Sequence, residues 1–376
     1  MSRPLDCAAE CKRAEGPVYV QVERFLKRQI KEGQYTEGDY LPAEKVLAER
    51  FGVSCGTVGK ALSRLKEEGY VERRTGHGTH VTYSMEPVPE RDEETICVLL
   101  GRVTESFWAE IYGGVFCELQ ECSCKPLLIE RDESFEVEEE AIRRYRDRVG
   151  GFIIAPTGQM QNRALYGDLL AREVPFVFID RYLPELNVDA VVCDNVEGGY
   201  RATRHLLECG HRRIALVGAT EAISVQHRIR GYRRALAEFD VPVEEDLIFP
   251  MHRGAFEHGF EVSTRIVEKH PEVTAAFCMR DDTAWGCLDG ILQGGRGVPE
   301  EFSVIGYGDD PAICRRLNPA LTTVGLPKRR MGAEAAGRLI RKLEGRPETD
   351  PKILSLPVEL VERNSTGPVP EDRPTD

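Results

Sequence analysis

From residue 96 to residue 307, short apolar runs alternate with amphipathic helical stretches, and this alternation limits the possible folds more than any other feature. The runs are 96–100, 126–129, 151–155, 176–179, 190–193, 213–217, 248–249, 275–279 and 302–307. Apolar residues recur at helical spacing over 107–122, 136–148, 196–209, 228–239, 255–270 and 283–293, and again over 328–343. Strands that are apolar on both faces belong in parallel sheets covered by helices on both sides. The fold class is therefore α/β. Roughly 270 residues is too much for one such sheet, so two lobes are expected.

Ahead of this region, residues 17–83 carry a different pattern. Leu41-Pro42 opens a helix over 43–51, because proline's fixed φ suits a helix start, and Val46, Leu47 and Phe51 recur at helical spacing. Phe51-Gly52-Val53-Ser54 is the turn, and Ser54 is placed to cap a second helix by accepting an orphan backbone N–H. Val58, Ala61, Leu62 and Leu65 line one face of that helix, with Lys60 and Arg64 off it. Gly69 ends the helix, a strand starts at Tyr70-Val71-Glu72, and 73–81 has the pattern of a hairpin with Gly76 and Gly78 at its tip. Helix, tight turn, helix and basic hairpin form the layout of a winged helix-turn-helix, a small α+β unit. A helical hairpin used for protein contacts is the plainer alternative.

Charge decides which part can face a polyanion. The chain has 376 residues and a net charge of −13. Residues 17–83 hold 11 Lys+Arg and 9 Asp+Glu, residues 1–16 three of each sign, so 84–376 carries −15. Only the small unit is suited to approach phosphate, and its +2 balance makes the approach weak. Twelve cysteines fall in no C-x-x-C pair, and Cys97, Cys193 and Cys278 interrupt apolar runs as small buried residues. Reduced thiols without metal are expected. No apolar run approaches the length of a membrane span, and residues 1–16 lack the apolar core of a secretion signal. A cytoplasmic protein is expected. No phosphate-cradling loop, nucleophile elbow or zinc-type histidine pair appears, so neither an enzyme nor a cofactor is expected.

The boundaries follow from composition. Residues 1–16 form an N-terminal tail, 17–83 the helix-turn-helix unit, 84–95 a proline- and acid-rich linker, 96–366 the two-lobed part, and 367–376 a disordered tail.

Both parts resemble known families. Leu41-Pro42-Ala43-Glu44-Lys45, Phe51-Gly52-Val53-Ser54, Thr57-Val58, Ala61-Leu62, Glu68-Gly69-Tyr70-Val71 and Gly76-x-Gly78-Thr79 resemble the gluconate-repressor (GntR) winged helix. That resemblance implies a second helix seated in the major groove and a wing on the flanking backbone or minor groove. This sequence has Cys55 and Gly59 where the family usually shows arginine. Cys209-Gly210-His211-Arg212-Arg213-Ile214-Ala215-Leu216-Val217-Gly218, Arg228-x-x-Gly231-Tyr232, Asp281-x-x-Ala284-x-Gly286, Val298-Pro299-x-x-Phe302-Ser303-Val304-Ile305-Gly306-Tyr307 and Pro319-x-Leu321-Thr322-Thr323-Val324 are similar to the lactose/galactose-repressor (LacI/GalR) effector core. It implies a periplasmic-binding-protein-like fold: two α/β lobes of parallel sheets, three hinge crossings (near 193, 321 and 355) and a ligand cleft. The fusion of the two resembles the arabinose-repressor type of regulator.

Candidate residues follow from both readings. For DNA they are Lys45, Ser54, Thr57, Lys60, Arg64, Arg73, Arg74, His77 and Thr79, with Thr57 and Lys60 the better placed for bases and Lys45, Arg73 and Arg74 for phosphate. Ligands of open α/β sheets sit at the carboxyl ends of strands. That places Thr104, Ser106 and Phe107 after the first strand and Asp180 after 176–179, where Arg181 is its alternative partner. The resemblance adds Ser224, Arg228, Asp281 and Asp309, and Phe256 as an aromatic face for a sugar. Arg280 stands where that family commonly has Asn, so a negatively charged effector held by Arg228 and Arg280 is one expectation; pairing of Arg280 with Asp282 or Asp309 is the other. The expected partners are double-stranded operator DNA, a sugar, sugar acid or sugar phosphate, and a second copy of the chain. A transcription regulator, a repressor of carbohydrate-use genes, is the function expected. A solute-binding receptor is the alternative.

Overall fold

The computed structural model describes residues 17–31, 33–74, 78–83, 92–131, 134–157, 163–252, 254–346 and 352–369. The chain divides into two compact units, residues 1–90 and 91–376.

In the first unit, α1 (Val18–Lys31), α2 (Glu44–Phe51) and α3 (Cys55–Glu67) precede a two-stranded antiparallel hairpin of β1 (Val71–Arg74) and β2 (Gly78–Val81). Val22, Leu26 and Ile30 of α1 close over Leu47, Phe51, Val58, Leu62 and Leu65 in one core. Gly52 ends α2 at φ 66, a left-handed conformation that costs glycine nothing. Ser54 caps α3 by accepting from the Thr57 amide at 3.2 Å.

The second unit holds two six-stranded sheets. One, ordered β13-β7-β6-β5-β3-β4, is parallel throughout: β3 (Asp92–Leu100), β4 (Lys125–Glu130), β5 (Val149–Ile154), β6 (Phe176–Ile179), β7 (Ala190–Cys193) and β13 (Ile353–Leu356). The other is ordered β14-β12-β11-β10-β8-β9: β8 (Ile214–Ala219), β9 (Ile248–Pro250), β10 (Ala275–Cys278), β11 (Ser303–Gly308), β12 (Thr322–Gly325) and β14 (Glu359–Val361), with only β14 antiparallel. The first lobe's helices are α4 (Ser106–Glu121), α5 (Phe135–Tyr145), α6 (Arg163–Ala171) and α11 (Lys328–Leu343). The second lobe's are α7 (Asn195–Glu208), α8 (Ile223–Glu238), α9 (Ala255–Lys269) and α10 (Asp281–Gln293). Gly231 lets α8 lie on α7, since a Cβ there would overlap the Val196 carbonyl. The chain crosses between lobes after Cys193, after Gly325 and after Leu356.

Several boundaries differ from expectation. β3 begins at Asp92, inside the stretch given to the linker, because Asp92 accepts from the Glu94 amide and the Thr95 hydroxyl and so satisfies a polar strand start. The middle crossing falls after Gly325 rather than near 321, because Thr322–Gly325 pairs with β11 first. The C-terminal tail does not begin at Gly367. Ser365 accepts from the Thr322 amide and donates to the Val304 carbonyl, the Gly367 amide donates to Ser303 Oγ, and the Val369 amide donates to the Cys209 carbonyl. Polar backbone pairing of this kind leaves no trace in hydropathy.

Candidate functional site

On the DNA-reading unit, Ser54 and Thr57 spend their hydroxyls on each other, 2.8 Å apart, as part of the α3 cap. Lys45 is exposed and without a partner among the described residues. Lys60 is exposed, with Nζ 5.1 Å from the Tyr19 ring centroid. Arg64 is drawn inward instead: its Nε lies 2.8 Å from Glu23 Oε2, on a side chain only 6% exposed. A buried carboxylate needs that partner, while Arg64 itself stays 44% exposed. Thr79 is a correction to the expected set. It is 7% exposed, because alternation along β2 turns Thr79 and Val81 inward. Arg73 pairs with Glu44. Arg74 ends β1, and His77 lies outside the described residues.

The cleft between the lobes is bounded by the carboxyl ends of both sheets. From the first lobe, Thr104 is exposed, and half-buried Phe107 meets Trp108 edge-on at 4.8 Å. Asp180 follows β6 at φ 66, with Arg181 Nε 3.3 Å from its carboxylate. A non-glycine residue held in this conformation marks a site whose surroundings over-determine it. From the second lobe, Ser224 sits in the first turn of α8, buried and without a hydrogen-bond partner among the described residues.

Arg228, 8% exposed, is held by neutral groups. Nε donates to Asn195 Oδ1 at 2.9 Å, Nη1 donates to the Met279 carbonyl at 2.6 Å, and the guanidinium lies 3.8 Å from the Tyr307 ring centroid. Tyr307 in turn donates to Asn195 Oδ1 at 3.1 Å, and burial pushes its hydroxyl pKa up. Asn195 and Tyr307 were not among the site residues expected; the signal for Asn195 was its place directly after the first crossing.

Polar contacts join the two lobes at the cleft's mouth. Ser106 of α4 donates to Asp310 of the second lobe. Arg280, at the start of α10, reaches Glu105 across the cleft at 3.3 Å and Asp282 at 2.9 Å. Lys328 Nζ donates to Glu110 Oε1 at 2.7 Å and to the Asp309 carbonyl at 3.3 Å. The Tyr182 and His227 rings approach across the same gap, 6.5 Å between centroids.

Two candidate ligand residues are instead committed to the scaffold. Asp281 is 4% exposed and accepts from Thr323 Oγ1 and the Asp310 amide; burial raises its carboxyl pKa, these bonds opposing it. Asp309 takes Arg363. Phe256 meets Trp285 edge-on, ring centroids 5.0 Å apart, between α9 and α10. Arg280 is no free anion clamp either, because two carboxylates already neutralise it. A cavity of about 240 Å³ bounded by Leu170, Val174, Phe176 and Val188 lies elsewhere, at the amino ends of β6 and β7. It gathers none of the groups above, so the cleft remains the candidate site.

Comparison with known proteins decides the family. The gntR family of bacterial regulatory proteins matches residues 18–81, and the periplasmic binding protein-like domain matches 203–366. An arabinose metabolism transcriptional repressor of Geobacillus stearothermophilus is 30% identical over 357 residues, 93% of this chain and 98% of its own. The chain belongs to this family of transcriptional regulators. A PurR repressor of Vibrio parahaemolyticus is also 30% identical, covering 85% of the regulator and 97% of its own length. Among solved structures, a LacI family regulator from Enterococcus faecium with bound ribose is 31% identical, with TM-score 0.63 over 73% of the regulator and 99% of that chain. A CelR–cellobiose complex is 26% identical, with TM-score 0.66 over 86% and 100%.

Burial pushes the Cys97 and Cys193 thiols up to about 12, away from the thiolate form. Among the described residues no helix is long and apolar enough to cross a membrane, and no cluster of three metal-ligating side chains forms.

Proposed function

We propose that the regulator represses carbohydrate-use genes in the cytoplasm without catalysing a reaction, and that a neutral sugar held between the lobes sets its hold on operator DNA. The observation that carries this reading is the balance of charge at the cleft. Arg181, Arg280 and Lys328 each already face a carboxylate, so of these four cleft cations only Arg228, held by neutral oxygens, keeps its charge uncompensated, and its remaining donors lie among hydroxyl-bearing groups. Ser224, Thr104, Asp180 and the remaining N–H groups of Arg228 are suited to hydroxyls. The relatives support the sugar class: the solved neighbours hold ribose and cellobiose, and the first relative is named for arabinose.

Two copies are proposed to act together, because one reader with a +2 balance is too weakly attracted to select a site, whereas a dimer engages two half-sites at once. Effector and DNA then alter each other's affinity by the same factor. Calorimetric titration with neutral pentoses, hexoses and cellobiose, beside the matching sugar acids and phosphates, tests the effector class. Tight binding of an acid that is lost in Arg280→Ala and not matched by any neutral sugar would overturn it.

A further inference from the structure

The recognition helix α3 is short of long side chains where it would meet base edges. Cys55 and Gly56 fill its exposed first turn and Gly59 the next, Lys60 lies toward Tyr19, and Arg64 is turned back to Glu23. A surface this small allows close approach, and the helix's one forked donor, Arg64, is already paired with Glu23.

The missing donor comes from outside the helix. Arg73 of β1 pairs through Nη2 with Glu44 Oε1, and Glu44 is the first residue of α2. The carboxylate's other oxygen stands over α3: a Cβ at Gly59 would lie 3.4 Å from Glu44 Oε2. One strand of the wing, the start of α2 and the second turn of α3 therefore converge on one patch. Both side chains are about a third exposed, 33% for Arg73 and 39% for Glu44, so the pair is neither a buried staple nor free in solvent. Glu44 is Arg73's only carboxylate partner among the described residues, and one carboxylate cannot occupy all five N–H donors of a guanidinium.

We propose that Arg73, held by Glu44 over the bare surface of Gly59, recognises a guanine edge in the major groove, with Glu44 as its positioning residue. The carboxylate takes one N–H of Nη2, and the second N–H of Nη2 together with Nη1 forms the end-on fork that matches guanine O6 and N7. Absence of a side chain at 59 makes room for this arrangement. The inference rests on the DNA-binding reading above and moves Arg73 from a phosphate contact to a source of sequence preference.

The test is selection of bound duplexes from a pool with a randomised core, using the full chain without effector, followed by binding curves for single-base variants of the selected site. Arg73→Ala is expected to lose preference at one base pair per half-site by about tenfold or more, with the other positions kept. Arg73→Lys keeps the ion pair and the charge but loses the same preference, because an ammonium is a point charge. Glu44→Gln is expected to weaken that one preference while affinity for random duplex at low salt rises, because a carboxylate beside the phosphates is removed; a purely structural staple would lower binding to every sequence. Gly59→Arg in the Arg73→Ala background, with a guanidinium returned beside Glu44, is expected to regain preference at that patch. The proposal is overturned if Arg73→Ala weakens every sequence equally and lowers the salt slope by about one, the signature of a phosphate contact. A wild-type chain that enriches no sequence would remove the DNA-reading function itself, and this role with it.

Discussion

Replacing Ser106 and Asp310 by alanine, singly and together, is expected to weaken effector binding non-additively. The hydroxyl belongs to one lobe and the carboxylate to the other, so their hydrogen bond exists only while the lobes are closed. A hydrogen bond to a charged group contributes about 1.5–3 kcal/mol when buried. This one is only part-buried, and solvent screening reduces it to about 1 kcal/mol. Because the effector binds between closed lobes, that energy appears in the apparent dissociation constant as roughly a fivefold loss for Asp310→Ala. Ser106 is also a candidate ligand contact, so its single variant carries two losses. The double-mutant cycle isolates the interlobe part, and the Ala312 amide that also bonds Asp310 cancels from it. Calorimetry with the tightest-binding sugar gives the constants, and small-angle scattering reports closure. Strictly additive losses, or an Asp310→Ala protein that binds like the wild type, would refute the latch.

Three further expectations follow from particular residues. Gly231→Ala drives a methyl into the Val196 carbonyl and should cost about 2 kcal/mol, seen as a fall of several degrees in the effector unit's thermal midpoint; a shift within one degree sinks it. His211, buried between Thr274 and Ser303, has its pKa lowered to about 4, mainly by burial, so the unfolded chain binds the extra proton between about pH 6.5 and pH 4. Stability from this group is full above pH 6.5 and lost toward pH 4, a loss of about 3 kcal/mol that His211→Asn should largely remove from a melting-against-pH series. Cys55, exposed at the first position of α3, should react with a bulky maleimide and abolish DNA retardation while effector titrations stay unchanged; retardation that survives complete labelling would take α3 out of the groove.

Much of the scaffold was legible because local rules wrote it. The Ser54 cap, the Gly52 stop and the strand–helix alternation need only neighbours in sequence. The edge strands β13 and β14 were not seen: their residues are largely exposed or half-exposed, and pairing with β7 and β12 alone makes them strands. The partners of the candidate residues were not legible in the sequence. Glu23 and Arg64 lie 41 residues apart, and Glu105 and Arg280 lie 175 apart, so which cations were already engaged could not be read from spacing. Thr79 was misjudged because a wing looks exposed as a whole, whereas strand alternation turns every second side chain inward.

The order in which the two sheets are completed bears on how the protein is made. Each receives its outermost strand from the last stretch of chain, β13 for one lobe and β14 for the other, and the Ser365–Val369 strap closes only afterwards. Synthesis runs from the other end, so the ribosome releases a finished DNA reader long before either sensing lobe has its border. A truncated product would keep the reader while lacking a completed sensing lobe, and a lone reader with a +2 balance is expected to hold operator DNA only weakly.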